Sequence, residues 1–399
     1  MKIDIQTVTD DIHFIDFIDS RDIRETTKKH YAERLTRFCI FIGKTPTRLI
    51  EEAEDEEENG VRMKKRKIRQ YINNMAKHMK DTNKSDNYIK SMLTTIRAFY
   101  SQFDIELPKD RRKRKHYNQM TTKDIVAKEH IKKALEYSNL KYKAIILLMS
   151  SSGMGQSEIM NLKYGDFLSA ISDYYKPSKN DQFDIYQIND KLQDTADEIV
   201  GLWHIKRYKT DMPYFTFSSP ESIRYILLYL LERVKQNRPV LNLDDWLFET
   251  VGNKLNKSVF VKYFQDLNDH CEFGSVGRSR FFTSHKLRKY FASTLYSKGL
   301  PQLTVDWFLG HRIDTVTDAY FKPDIDSLRN QYISILKDLS IIDYEVKTLE
   351  SLEFKELKEK YEKDSKAKDE KMDKMEKELK LIKELLGDEE FAEERTKEN

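Results

Sequence analysis

Apolar side chains recur every three to four positions over most of this chain and switch to every second position only in a short middle stretch. From about residue 20 to 107 the helical period holds. Tyr31, Leu35, Phe38 and Ile42 share one stripe of a first helix. Thr45-Pro46-Thr47 breaks that helix and starts a second. A third runs from near Lys65 to Met79 with Ile68, Ile72 and Met75 as its apolar face. A fourth carries Tyr88, Met92, Ile96 and Phe99 and stops before Leu107-Pro108. Four helices of this size predict a small bundle.

A second region starts near Thr121. Residues 123–137 are amphipathic, 144–149 form an unbroken apolar run, and Gly153-Met154-Gly155 turns into a helix over 156–162. The period-two stretch follows: 184–188, 202–208 and, after Asp211-Met212-Pro213, 214–217 read as strands. Helices return over 223–234, 256–268, 285–297 and 302–309. The expected fold is mainly α with a small antiparallel β-sheet in the second domain. Beyond residue 345 the chain is rich in Lys and Glu. Met372, Met375, Leu379, Ile382 and Leu386 mark a heptad seam there, which residues 362–371 interrupt. That tail reads either as a lone charged helix or as a self-associating coiled coil. The expected organisation is an arm at 1–19, a helical bundle at 20–107, a basic linker at 108–120, a second domain at 121–340 and the charged tail at 341–399.

The 399 residues suffice for two or three domains, and 34% charged with 39% hydrophobic residues is a polar but globular balance. The net charge of +3 hides local blocks: an acidic run at 51–58 and basic runs at 62–69 and 109–115. Where charge sits matters more to a polyanion than its total. Lys64, Lys65, Arg66 and Arg69 form either a solvated face or a phosphate track. Arg111, Arg112, Lys113 and Arg114 in the linker suit a segment crossing a phosphate backbone. Cys39 and Cys271 stand far apart and predict free thiols of a reducing compartment. No apolar stretch approaches a membrane span and the N-terminus lacks a signal-peptide pattern, so a soluble, intracellular protein without a membrane partner is expected.

The candidate chemistry is concentrated in residues 284–324. His285 and Arg288 stand three apart on an expected helix, hence on one face. His311 closes Leu309-Gly310-His311, and Tyr320 follows nine residues later. Two imidazoles, a guanidinium and a phenol can converge on one anionic group. Breaking a phosphodiester with a protein oxygen needs a nucleophile, donors around the non-bridging oxygens and an acid for the leaving oxygen. Tyr320 is the candidate nucleophile, Arg288 and His285 can hold the phosphate, and His311 can donate to it or accept the phenol proton. The covalent intermediate would store the energy of the broken bond, so neither ATP nor a cofactor is implied. No carboxylate cluster in this stretch suits Mg²⁺.

The ordered set of HxxR, Leu-Gly-His and Tyr resembles the tyrosine recombinases, the phage-type integrases, and in Ser-Ser-Gly-Met and the Lys-Thr pair it is most like their archaeal members. The resemblance implies a helical core-binding domain and a catalytic domain clamping double-stranded DNA. It also implies a 3′-phosphotyrosine intermediate, assembly as a tetramer, and a site of action in the cytoplasm on DNA. It further implies a hairpin lysine as general acid, which Lys209 in Tyr208-Lys209-Thr210 matches, with Lys206 second. After the tyrosine, residues 325–339 would either dock on a neighbouring protomer or pack within their own domain. One position departs from the family pattern. Its first arginine opens the helix after the Ser-Gly-Met turn, where this chain has Gly155. The Gly155 backbone, Gln156, Arg207, Arg278 or Arg280 can compensate. The implied function is site-specific recombination, integrating or excising a mobile element. The alternatives are a catalytically impaired DNA-binding protein of the same fold and a type IB-like topoisomerase.

Overall fold

The computed structural model describes residues 2–109, 125–179, 181–192, 198–208, 210–313 and 324–341. They fall into two units, Met1–Tyr117 and Asn118–Asn399, each described by itself. In the first unit the helices are α1 (Ile5–Thr9), α2 (Ile12–Asp19), α3 (Glu25–Ile42), α4 (Pro46–Glu58), α5 (Lys67–Asp81) and α6 (Asp86–Gln102). Local chemistry fixes their ends. Thr45 caps α4 with Pro46 in its first turn, Ser85 caps α6, and α3 stops at left-handed Gly43. Asp11 caps α2 and also accepts from the Thr47 amide at 3.0 Å, tying α2 to the start of α4. The expected stripes point inward: Leu35, Phe38, Ile68, Ile72, Met75, Met92, Ile96 and Phe99 are buried in one core. The first nineteen residues, expected as an arm, form α1 and α2 instead. Val8, Phe14 and Phe17 bury there because the apolar positions repeat at helical spacing.

The second unit holds α7 (Lys128–Glu136), α8 (Leu140–Ser152), α9 (Gln156–Ile159), α10 (Tyr164–Ala170) and α11 (Ile185–Leu192). It continues with β1 (Gly201–Arg207), β2 (Met212–Ser218) and α12 (Pro220–Lys235), then β3 (Glu249–Thr250), β4 (Asn253–Lys254) and α13 (Lys257–His270). Last come β5 (Ser275–Val276), β6 (Ser279–Arg280), α14 (Ser284–Ser297), α15 (Gln302–Phe308) and α16 (Ile325–Leu339). The central element is α8, buried from Ala144 to Ser152. It packs against α12, α14 and β2, so from Ala144 onward no face of it is exposed. β1 and β2 pair antiparallel from Gly201↔Ser218 to Arg207↔Met212. Residues 184–188, expected as a strand, belong to helix α11. Ile185, Ile188 and Leu192 bury at i, i+3 and i+7, and the Asp184 carboxylate accepts from the Gln187 amide. The short hairpins β3–β4 and β5–β6 pair only two residues per strand, too few for alternation to register.

Helix α16 packs within its own unit. Leu328, Tyr332, Ile335 and Leu339 are buried, and the Tyr290 hydroxyl donates to the Asp338 carbonyl at 3.2 Å. The linker arginines and the charged tail lie outside the described residues. No described helix is long and apolar enough to cross a membrane.

Candidate active site

Two glycines bring two carbonyl-bearing turns into reach of one side chain. Gly153 ends α8 at φ +69°, and a Cβ there would overlap the Phe291 ring of α14. Gly310, after α15, has φ +58°, and its Cβ would lie 2.7 Å from the ring of Tyr214 on β2. Only glycine accepts both the backbone and the approach. Arg288, one turn into α14, donates through Nη1 to the Gly153 carbonyl at 2.7 Å and through Nη2 to the Leu309 carbonyl. The Ser-Gly-Met turn, the HxxR helix and the Leu-Gly-His turn therefore meet at this guanidinium.

A second guanidinium reaches the same place. Arg207, at the end of β1, donates through Nη1 to Leu309 O at 3.2 Å and also to Gly310 O. Burial lowers the Arg288 pKa from its ordinary value, with Tyr214 opposing and Arg207 reinforcing that shift. Arginine keeps its charge regardless. Tyr214 is buried, and desolvation followed by the Glu158 carboxylate raises its phenol well above the usual range. Glu158, itself buried, folds back over Gly155 into the space a side chain there would start from. A cleft of about 770 Å³ opens on the hairpin and is lined by Glu158, His204, Lys206, Tyr208, Tyr214 and Trp307.

His285 is exposed on the first turn of α14, yet enough of its ring is desolvated that burial is the main cause lowering its pKa. The charges of Lys289, Arg288 and Lys286 act in the same direction. His311 is exposed, and its Nδ1 lies 2.7 Å from Asp306 Oδ1, while its amide donates to the Asp306 carbonyl at 2.9 Å. That contact fixes the proton on Nδ1 and turns Nε2 outward from the pair.

The other candidates separate. Gln156 Nε2 lies 3.5 Å from the Met160 sulfur. Arg280 is held in a two-point pair with Asp269, 2.8 Å on each side, and Arg278 is exposed at the β5–β6 turn. Lys206 pairs with Asp211 at 2.8 Å across the hairpin end. Lys64, Lys65 and Arg69 are exposed. Arg66, unlike these three, is turned inward between the Glu57 and Glu106 carboxylates and also donates to the Val61 carbonyl at 2.9 Å. Tyr320, Lys209, Arg111, Arg112, Lys113 and Arg114 lie outside the described residues. Sequence reasoning gives no role to Glu158, Tyr214 or Asp306. Each meets its partner through the tertiary fold or, for Asp306, across a helix end five residues from His311, a spacing with no helical meaning.

Residues 120–326, more than half of the chain, match the phage integrase family. The chain belongs to that family. Its members are the tyrosine recombinases, so site-specific DNA recombination and DNA binding are its family activities. A probable integrase/recombinase protein of Methanocaldococcus jannaschii is 23% identical over 313 residues, covering 75% of this chain and 81% of that one. Among solved structures, the Tn1549 transposon integrase in complex with circular intermediate DNA is 18% identical. It covers 80% of this chain and 97% of its own, with a TM-score of 0.46. A lambda integrase tetramer bound to a Holliday junction is 14% identical, with 77% and 75% covered and a TM-score of 0.46.

Proposed function

We propose that this tyrosine recombinase cleaves and rejoins double-stranded DNA through a 3′-phosphotyrosine on Tyr320, acting as an oligomer to integrate or excise a mobile element. The observation that carries the reading is Arg288 bonded at once to Gly153 and Leu309, which gathers the three motifs at one cation. In the forward step the Tyr320 oxygen attacks the scissile phosphorus and the bond to the 5′-oxygen breaks. His285, kept neutral by its lowered pKa, takes the phenol proton. Lys209 gives a proton to the leaving oxygen. Arg288, together with His311 through Nε2, holds the non-bridging oxygens, while Asp306 orients the His311 ring. Attack by a second 5′-hydroxyl reverses the chemistry and releases the tyrosine. Lys64, Lys65, Arg69 and the linker arginines supply phosphate contacts.

The test is a nicked suicide duplex carrying the element's end. A covalent adduct that disappears in Tyr320→Phe supports the reading, and DNA retention without any adduct would replace it with a non-cleaving binder, the reading that Gly155 favours. Strand exchange between two such duplexes separates recombination from relaxation by a topoisomerase.

A further inference from the structure

Of the side chains able to replace the family's first arginine, only one is seen to share a bond acceptor with Arg288 among the described residues. Arg207 and Arg288 both donate to Leu309 O, so the two cations lie within two hydrogen-bond lengths of each other. Two guanidinium groups this close raise the local positive potential and so favour an anion beside them. Glu158 offsets part of that charge from the Gly155 side. A phosphate monoanion would offset the rest. Arg207 commits Nη1 to the Leu309 and Gly310 carbonyls, and its Nε and Nη2 carry three further N–H groups. The rival donors lie elsewhere, Arg280 with Asp269, Gln156 with Met160, and Arg278 at an exposed hairpin turn.

We propose that Arg207, delivered by strand β1, is the second guanidinium of the scissile-phosphate clamp and takes the catalytic place that Gly155 leaves empty. The chain thus draws its two phosphate-binding arginines from the hairpin and the HxxR helix, with the Leu309 carbonyl setting their spacing. The inference rests on the phosphotyrosine reading given above.

Its test uses the full chain and two suicide duplexes, one with an ordinary scissile phosphate and one with a neutral methylphosphonate there. Arg207→Gln keeps a donor for the Leu309 and Gly310 carbonyls but removes the charge. Arg207→Lys keeps the charge without the planar fork. Arg207→Gln is expected to slow Tyr320 adduct formation on the phosphate on the order of 10³–10⁵-fold. On the methylphosphonate, where no charge needs compensating, the penalty relative to the unmodified protein is expected to shrink to below about tenfold, and Arg207→Lys is expected to fall between. Cleavage by Arg207→Gln at the unmodified rate would overturn the inference and leave the phosphotyrosine reading standing. An equal penalty on both duplexes would also overturn it, leaving Arg207 a brace for the Leu309–Gly310 turn. No Tyr320-dependent adduct from the unmodified protein on either duplex would sink the underlying reading, and the inference with it.

Discussion

The ring of Tyr214 occupies the space that a Cβ on Gly310 would need, at 2.7 Å, and Gly310 also has φ +58°. The Leu-Gly-His turn can therefore lie flat on strand β2, which puts the Leu309 and Gly310 carbonyls under Arg288 and Arg207. Gly310→Ala is expected to cost about 1–3 kcal/mol in chemical denaturation. It is also expected to slow DNA cleavage on the order of 10²-fold, because a shift of about 1 Å in the turn misplaces both arginines and His311. Gly299 provides the control. It has φ +80° but open space around it, so Gly299→Ala should show the backbone cost without the loss of cleavage.

Proton acceptance by His285 sets the expected acid limb of the cleavage rate. Burial, then Lys289, Arg288 and Lys286, lowers its pKa below the ordinary 6.5. A lowered value means that the imidazole stays neutral as pH falls through 6.5 and is protonated only further down. Cleavage is expected to hold to below pH 6.5, and Lys289→Gln should move the limb upward by removing one of the charges responsible. A single-turnover pH profile with its limb above 6.5 would assign that proton to another group.

How far the site is legible in the sequence depends on how local each contact is. His285 and Arg288 can be placed on one helix because a spacing of three has one meaning in a helix. The inward turn of Arg66 cannot be read, since inside its run it looks like Lys64 or Lys65 and its partner Glu106 lies forty residues away. Arg207 is identifiable as a cation on a strand, but its acceptors are about a hundred residues further along the chain. Helix α11 reads as a strand because a five-residue alternating window fits both periods, and only Leu192 breaks the tie. The continuous apolar run of α8 speaks for burial without naming a face, and the helix has no exposed face to name.

The basic run after α4 divides into two roles that a salt titration separates. Exposed Lys64, Lys65 and Arg69 are expected to act on DNA affinity alone. Replacing all three with glutamine should lower the slope of log K against log salt by up to about 0.9 for each phosphate they cease to neutralise, with the melting temperature unchanged. Arg66→Gln should do the reverse. It leaves the Glu57 carboxylate half-buried without its cation and is expected to cost about 2–4 kcal/mol of stability while the salt slope stays as it was. Equal salt slopes for the two variants would place Arg66 on the DNA after all.

The fully buried Tyr332 of α16 donates its hydroxyl to the Ser151 carbonyl at 2.8 Å, near the C-terminal end of α8, where helix carbonyls lack partners of their own. Tyr332→Phe removes that donor and nothing else, so a loss of about 1–2 kcal/mol is expected. Leu339→Ala, also fully buried, should cost about 2–5 kcal/mol as a cavity. Both helices belong to one unit, so these losses are expected to be the same at every protein concentration in equilibrium denaturation. A helix exchanged between protomers would behave otherwise, with the midpoint rising as protein is added and the two substitutions weakening association. A midpoint independent of concentration, paired with the two losses, would tie α16 to the α8 of its own chain before DNA is bound.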